Sequence, residues 1–378
     1  MIEADNIFGL LAALLGICAL AAGLERTSWG KRISGAGIIL LAALAGAQLG
    51  VIPRSAPLYG SIWTYLVPLA IALFLLKADL IKVFTGGGRV LIAFLAGMAG
   101  TLLGAALAAL IVDLGANEAR IAGVFAATYT GGSLNFVAVA EAVGLEDSSQ
   151  LSAALAIDNI FGVGFILMLN LAAGWSLFQR WYGWRSDRLG EIALTDPGAP
   201  EAGVSLFGLL VALAVSAAAV AVSGAISTAL GIAQYEMLVL TVLVTVIATL
   251  GRQVLAGLRG EDILAMMFMY LFFAIIGAGA DLGEMLQAAP GMFVMVGCIF
   301  IVHILAVLAV GRVLKLNYAE MVTASLACIA GPPIAAAIAI LFKWRNLVAP
   351  GILTGILGYV LGNFAGVGLF TLLQGGAP

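Results

Sequence analysis

Apolar runs of about 20 residues recur along this chain, separated by short clusters of charge, glycine or proline, and each is long enough to cross roughly 30 Å of hydrocarbon as a helix. Divided at those clusters, the pattern predicts spans over 5–23, 34–52, 57–80, 89–113, 118–145, 150–175, 204–229, 235–250, 262–283, 290–312, 319–343 and 347–374. A polar connector, 176–203, carries Arg180, Arg185, Asp187, Arg188, Glu191 and Asp196 and separates two blocks of six. Two spans contain their own interruption. The first breaks at Thr130–Ser133 around Gly131-Gly132, the second at Gly331-Pro332-Pro333. Proline has no backbone N–H and pushes the preceding residue out of the α region, so a continuous helix across the second break is excluded and a new half-helix can start there.

The blocks resemble each other in order. Phe8-Gly9-Leu10-Leu11 returns as Phe207-Gly208-Leu209-Leu210, Ala78-Asp79-Leu80 as Ala280-Asp281-Leu282, and Asn117 as Asn317. Gly131 returns as Gly331, and Asn159 before Ile-Phe-Gly-Val-Gly as Asn363 before Phe-Ala-Gly-Val-Gly. The chain therefore reads as a first repeat (1–175), the connector (176–203) and a second repeat (204–378), with panel helices followed by core helices in each. Basic residues favour the cytoplasmic ends of spans. In the first repeat Arg26, Lys31, Arg32, Lys77, Lys82 and Arg89 follow spans one and three, against Arg54 and Arg120 opposite. In the second, Arg252, Arg259, Arg312 and Lys315 follow spans two and four, with Lys343 and Arg345 opposite. That shift by one loop indicates inversion, whereas six crossings per block would make the repeats parallel. One span is miscounted, or the connector hides a crossing.

Composition agrees with a polytopic helical membrane protein. The 378 residues are 63% hydrophobic and 10% charged, with a mean hydropathy of +1.15, far from the roughly 25% charge of ordinary soluble domains. The net charge of −3 lies in loops and includes no basic tract for nucleic acid. Cys18, Cys298 and Cys328 are too scattered for a metal cluster or a disulfide framework and read as packing residues. No phosphate loop, HExxH or Gly-x-Ser-x-Gly occurs, so neither ATP-driven transport nor hydrolysis has local support, and an enzyme is not expected.

The candidate chemistry lies at the interruptions. Thr128, Thr130, Ser133 and Asn135 bring hydroxyl and amide oxygens to the first break, and Asp158-Asn159 lie inside the next helix. A carboxylate in mid-membrane costs about 2.5–3.5 kcal/mol on insertion scales, so Asp158 is expected to face the protein interior and hold a cation or a proton. Broken helices expose free N–H groups and carbonyls, which suit an anionic group and a weakly hydrated cation respectively. The expected ion site is therefore Thr128, Thr130, Ser133, Asn135, Asp158 and Asn159, with sodium at Thr130, Asn135 and Asp158. The expected solute contacts are Gly131, Gly132, Gly331, Pro332, Pro333 and Asn363. Glu141 is expected at the interface, Asp79, Asp281 and Glu284 as closing their helices near loops, and His303 as a hydrogen-bonded core residue.

Leu76-Lys77-Ala78-Asp79-Leu80, then Tyr129-Thr130-Gly131-Gly132-Ser133-Leu134-Asn135, then a polar pair in mid-helix, resembles the core of bile acid:sodium symporters. Ala156-Ile157-Asp158-Asn159 is similar to the paired-carboxylate helix of bacterial sodium–proton antiporters. Both belong to the cation:proton antiporter/anion transporter superfamily, and the whole chain most resembles its uncharacterised YjcL-like branch. The resemblance implies an all-α fold of two inverted repeats with crossed discontinuous helices, and a core sliding against a panel in a homodimer. It also places Thr130, Ser133, Asn135, Asp158 and Asn159 near coupling ions. Two departures stand out. The antiporters have a second acidic residue where this chain has Asn159, and the symporters have polar and acidic groups where it has Gly331, Pro332 and Pro333.

The expectation is an elevator-type secondary transporter in the bacterial inner membrane, coupling sodium to a small organic anion or zwitterion. No cofactor is expected beyond a sodium ion or proton as coupling ion. A monovalent cation/proton antiporter is the first alternative, and a non-transporting membrane sensor or scaffold the second.

Overall fold

A computed structural model of the chain describes residues 2–27, 35–173, 182, 204–255, 257–342 and 344–375. Apart from Tyr182, the polar connector lies outside the described residues, as do Lys31, Arg32 and Lys343. All regular structure among the described residues is helical. The principal helices are α1 (Ile7–Leu24), α2 (Gly35–Gln48), α3 (Pro57–Leu75, with a π-helical turn at Ile62–Leu66), α4 (Leu80–Gly86) and α5 (Gly88–Ala109). They continue as α6 (Glu118–Gly131), α7 (Ser133–Ala142), α8 (Ser148–Ala173), α9 (Leu206–Ala229) and α10 (Glu236–Leu250). The chain finishes with α11 (Glu261–Gly279), α12 (Leu282–Val313), α13 (Tyr318–Ile329), α14 (Pro332–Leu341) and α15 (Arg345–Leu373). Among the described residues, nine helices are long and apolar enough to cross a membrane. Twelve spans were expected, and the difference has two sources. The two interrupted segments are split, and α2 is a short apolar helix of 14 residues. The span expected at 290–312 begins earlier, because Asp281 caps α12 by accepting from the Gly283 and Glu284 amides, which leaves Pro290 inside the helix.

The interrupted segments do not run through the bundle as crossed helices. Each turns back. At the end of the bundle where α1 begins (the near end), Arg120 at the start of α6 donates to the Val143 carbonyl just after α7, at 2.9 Å. Asn117 reaches Gln150 across the same mouth, at 2.9 Å. A straight path from residue 120 to 143 would separate these groups by about 35 Å at 1.5 Å per residue. At the far end the Tyr318 and Trp344 rings, which bracket α13–α14, stand 6.3 Å apart. On α15, a Cβ built on Gly351 would meet both Thr323 of α13 and Ala335 of α14. The segments are two re-entrant hairpins entering from opposite ends, and their tips meet.

The ends are fixed by polar ties that the sequence supplies in loops. Near-end ties join Arg54 to Asp281 at 3.0 Å and Ser149 to Glu284 at 2.9 Å. Far-end ties join Lys77 to the Leu255 and Leu258 carbonyls, and Arg89 to Glu320 and the Lys315 carbonyl. Helix α9 starts beside Gly260 and Arg259, at the far end, whereas α1 starts at the near end. Because the second hairpin turns back, Arg345 lies at the far end with Lys77, Lys82, Arg89, Arg252, Arg259, Arg312 and Lys315, not opposite them as the span count implied. Arg54 and Arg120 are at the near end. At the exposed N-cap of α12, the Gly283 and Glu284 amides and Arg54 hold the Asp281 carboxyl below the ordinary carboxylate range. Its contribution to stability is thus present above an ordinary carboxylate pKa of about 3.9 and fades as pH falls through the depressed value.

Packing separates the helices into two groups. Helices α1, α2, α3, α9, α10 and α11 pack mainly on one another, and α4–α8 pack with α12–α15. Fewer contacts join the groups, through α8 with α11 and α2, α7 with α10 and α3, and α15 with α10. Cysteine labelling tests the hairpin course. In sealed vesicles an impermeant maleimide should label Asp113→Cys and Glu146→Cys from one face, and Arg259→Cys and Lys315→Cys from the other. Labelling of Asp113→Cys and Glu146→Cys from opposite faces would mean that 118–142 crosses.

Candidate functional site

The hairpin tips turn on glycine. Gly132 has φ 106° and ψ −178°, and Gly331 has φ 84° and ψ 177°, a conformation essentially reserved for residues without a Cβ. A Cβ on Gly132 would lie 3.5 Å from Gly331 Cα, and one on Gly331 would lie 3.2 Å from the Gly131 carbonyl oxygen. The structure thus joins Gly131, Gly132, Gly331 and Pro332 at one junction, and leaves Pro333 exposed beside it. Helix α15 passes alongside. Its Gly358 lies against the Thr130 carbonyl and Gly131 Cα, Gly362 against Asn135 and the Ala127 carbonyl, and Gly366 against the Gly123 carbonyl. Small residues three and four apart let two membrane helices approach backbone to backbone.

The carbonyls that end α6 are mostly engaged. Thr128 and Thr130 donate their hydroxyls to Val124 and Ala126 carbonyls, both at 2.7 Å. Asn135 donates to the Ala127 and Gly358 carbonyls at 3.2 and 2.8 Å, pinning the hairpin to α15. Thr101 and Cys328 both donate to the Tyr129 carbonyl. At the second tip the prolines withhold the donors that a continuous helix would aim at Cys328 and Ile329 carbonyls, so that tip is rich in carbonyl oxygen and poor in N–H.

Asp158 lies 8% exposed at mid-helix in α8 and accepts a hydrogen bond from the Ser133 hydroxyl at 3.2 Å, at the N-terminus of α7. The helix dipole favours a negative group there. The fully buried Tyr129 hydroxyl is the other polar group beside the Asp158 carboxyl. No lysine or arginine pairs with Asp158 among the described residues. Of the ion-site residues expected from sequence, Ser133 and Asp158 are therefore brought together. Thr128, Thr130 and Asn135 direct their donors to backbone carbonyls. Asn159 donates to its own helix at Leu155 and lies against Gly37 of α2. Asn363 donates to Thr241 of α10 at 3.0 Å.

Three other expectations meet their surroundings here. The nitrogens of His303 lie 3.0 Å from the Gly97 carbonyl, 3.1 Å from the Thr101 hydroxyl and 3.1 Å from the Ser325 hydroxyl. It is a hydrogen-bonded core residue. Because a carbonyl only accepts, the proton sits on Nδ1 in that arrangement. Glu141 is half-buried near the mouth of the first hairpin, in the field of Glu146 and Glu236. Asp79 and Asp281 start helices as N-caps rather than closing them. Sequence reading missed Tyr129, Thr101 and Thr241 as site residues, and Tyr359, whose hydroxyl lies against Gly331 at the second tip. The glycine run at 351, 355, 358, 362 and 366 was the available signal for the seam on α15.

The profile of a family described as "Protein of unknown function (DUF819)" matches residues 9–374. The chain is 32% identical over 385 aligned positions to "Uncharacterized membrane protein YjcL" of Bacillus subtilis (strain 168), covering 97% of this chain and 96% of that protein. Together with the apolar helices, this makes the chain a multi-pass membrane protein. It belongs to the DUF819 family.

Proposed function

We propose that the protein is a secondary active transporter, coupling sodium to the movement of a small organic solute that carries an anionic or zwitterionic group. The observation that carries this reading is the meeting of the two hairpin tips beside Asp158, a buried carboxylate without a basic partner among the described residues. Broken backbone at membrane depth is tolerated only where protein, water or a bound species satisfies it. An intramembrane carboxylate needs a neutralising ion or proton.

The reading extends to the whole architecture. Five traversing segments and one hairpin per half put the start of the second half at the opposite end, which fits two inverted repeats joined by a connector that stays on one side. Helices α1–α3 and α9–α11 then form the panel, and the hairpins with α5, α8, α12 and α15 form the core. Sliding of that core past the panel, as an elevator, would carry the tip junction between the two faces. The basic far end faces the cytoplasm on this reading. Membership of the cation:proton antiporter/anion transporter superfamily, and a homodimer formed through the panel, belong to the same proposal.

The test is the thermal stability of the purified protein in sodium, potassium or choline across pH, for wild type and Asp158→Asn. A site held at 100 times its Kd adds about 2.7 kcal/mol. Sodium should stabilise the wild type selectively, and Asp158→Asn should remove the effect. Competition between sodium and protons at this carboxylate would favour the cation/proton antiporter, a reading that the isolation of Asp158 from basic groups supports equally. No sodium response at any pH would overturn sodium coupling.

A further inference from the structure

A second feature lies at the near end, where the two helix groups meet. Between them is an open cavity of about 460 Å³, a size usual for small-molecule sites, which favour the seams between packed units. Trp63 and Thr64 of α3 and Ile275 and Ile276 of α11 line it from one group, and Glu146 and Ser148, where α8 begins, from the other. Arg54, on the loop before α3, belongs to the same wall. Trp63 and Thr64 lie on the π-helical turn Ile62–Leu66, a distortion of a kind that recurs at functional sites. The Trp63 ring is held against Phe272, with 5.2 Å between centroids. The opposite charges in this wall do not neutralise each other. Arg54 donates to Asp281 Oδ2 at 3.0 Å and to Gln48 at 2.9 Å, and its guanidinium has further N–H groups to offer a carboxylate. Glu146 has no ion pair among the described residues, and Glu141 adds to the negative field around it. Arg120, also at the near end, is engaged by the Val143 carbonyl and Asn117.

We propose that this cavity is the entry site of the solute, and that the solute is a zwitterion with an apolar side chain. Its carboxylate binds Arg54, its ammonium binds Glu146 beside the Trp63 ring, and its side chain packs on Ile275 and Ile276. This deepens the transporter reading and rests on it. A plain anion meets the charge of Glu146 and a plain cation meets that of Arg54, whereas a zwitterion satisfies both. On that reading the near end is the outer face, and Asp158 lies about 15 Å further along α8 than Ser148, at 1.5 Å per residue. Arg54 also links binding to movement. Its bond to Asp281 ties the loop before α3, in the panel, to the start of α12, in the core. Asp281 caps α12 through Oδ1 and meets Arg54 through Oδ2. A solute carboxylate therefore takes Arg54 from Asp281 without uncapping the helix, and loosens the tie between core and panel as it binds.

The experiment measures melting of the full-length protein in sodium, titrated with L-leucine, with isocaproate, which lacks its ammonium, or with isoamylamine, which lacks its carboxylate. Leucine should stabilise the protein at the lowest concentration, and each half-molecule only at higher ones. Arg54→Gln should weaken the leucine response about tenfold, the loss of a charge-assisted hydrogen bond, and leave the isoamylamine response in place. Glu146→Gln should weaken the leucine response similarly and leave that of isocaproate. Asp281→Asn keeps a capping side chain but loosens its hold on Arg54, so it should strengthen the leucine response. A purely structural tie between Arg54 and Asp281 would not do that. All three variants should keep the sodium shift that depends on Asp158. The proposal is overturned if leucine leaves melting unchanged, if either half-molecule acts as well as leucine, or if Arg54→Gln and Glu146→Gln keep the full leucine response. A leucine shift that needs Arg54 and Glu146, with no sodium shift in the wild type, would leave this site standing while the sodium reading at Asp158 fails. A sodium shift without a leucine shift would do the reverse.

Discussion

Replacing Gly358 by alanine is expected to unseat the first hairpin and to destabilise the protein by about 3 kcal/mol or more, beyond the usual 1–3 kcal/mol for overpacking. The added methyl would run into the Thr130 carbonyl oxygen and lie 2.8 Å from Gly131 Cα. Both are backbone atoms, and neither can turn aside as a flexible side chain would. They belong to the last turn before Gly132, whose own φ of 106° leaves little freedom to adjust. The Asn135 bond to the Gly358 carbonyl would be strained by the same displacement. Gly368, on the same helix, has open space where a Cβ would go, so Gly368→Ala is the matched control and should melt within about 0.5 kcal/mol of wild type. Thermal melting of both variants in one detergent checks this. Equal melting would mean that the tip junction is looser than the structure has it.

Removing the carboxylate at 158 should act in the opposite direction on stability and abolish ion-driven activity. Asp158 is buried, accepts a hydrogen bond from Ser133 beside the Tyr129 hydroxyl and, among the described residues, has no basic partner. A charge at mid-membrane costs about 2.5–3.5 kcal/mol, and one neutral-to-charged hydrogen bond returns about 1.5–3 kcal/mol. Asp158→Ala in the absence of sodium should therefore melt as high as wild type or up to about 2 kcal/mol higher. Such a gain at the expense of function is the expected trade at an active site. In liposomes, currents evoked by a sodium concentration jump should be lost, because the carboxylate that neutralises the ion is gone. A variant with intact currents would make Asp158 structural, and would favour a membrane sensor or scaffold over a transporter.

Much of this was legible along the chain because each signal was local. Hydrophobic runs between charges located most helices to within a few residues, α12 being the exception, since a membrane helix must be apolar over its whole length whatever it packs against. The break at Gly331-Pro332-Pro333 was plain because a proline pair acts through its own backbone, and the weaker signal at Gly131-Gly132 was read mainly from its equivalence to Gly331. His303 was readable as a core residue, since the membrane interior offers a lone imidazole few alternatives to hydrogen bonding.

The tertiary structure decided what those breaks do. A broken helix can continue across the membrane or turn back, and the sequence of 118–142 is compatible with both. Only the contact of Arg120 with Val143, and its far-end counterpart between Tyr318 and Trp344, chooses the hairpin. The same choice removes the conflict between the charge pattern and the count of spans, because Arg345 then returns to the basic end.

Side-chain roles were likewise set in three dimensions. Thr128, Thr130 and Asn135 have oxygens that suit an ion, but whether those groups face an ion or the helix's own carbonyls depends on rotamers and neighbours that no spacing records. Tyr129 and Thr241 acquired their place only when hairpin, α8, α10 and α15 came together. The sequence by itself determined where backbone could not remain helical. Packing determined which polar atoms were left without a partner at those places, because hydrogen-bond satisfaction is a property of the assembled bundle.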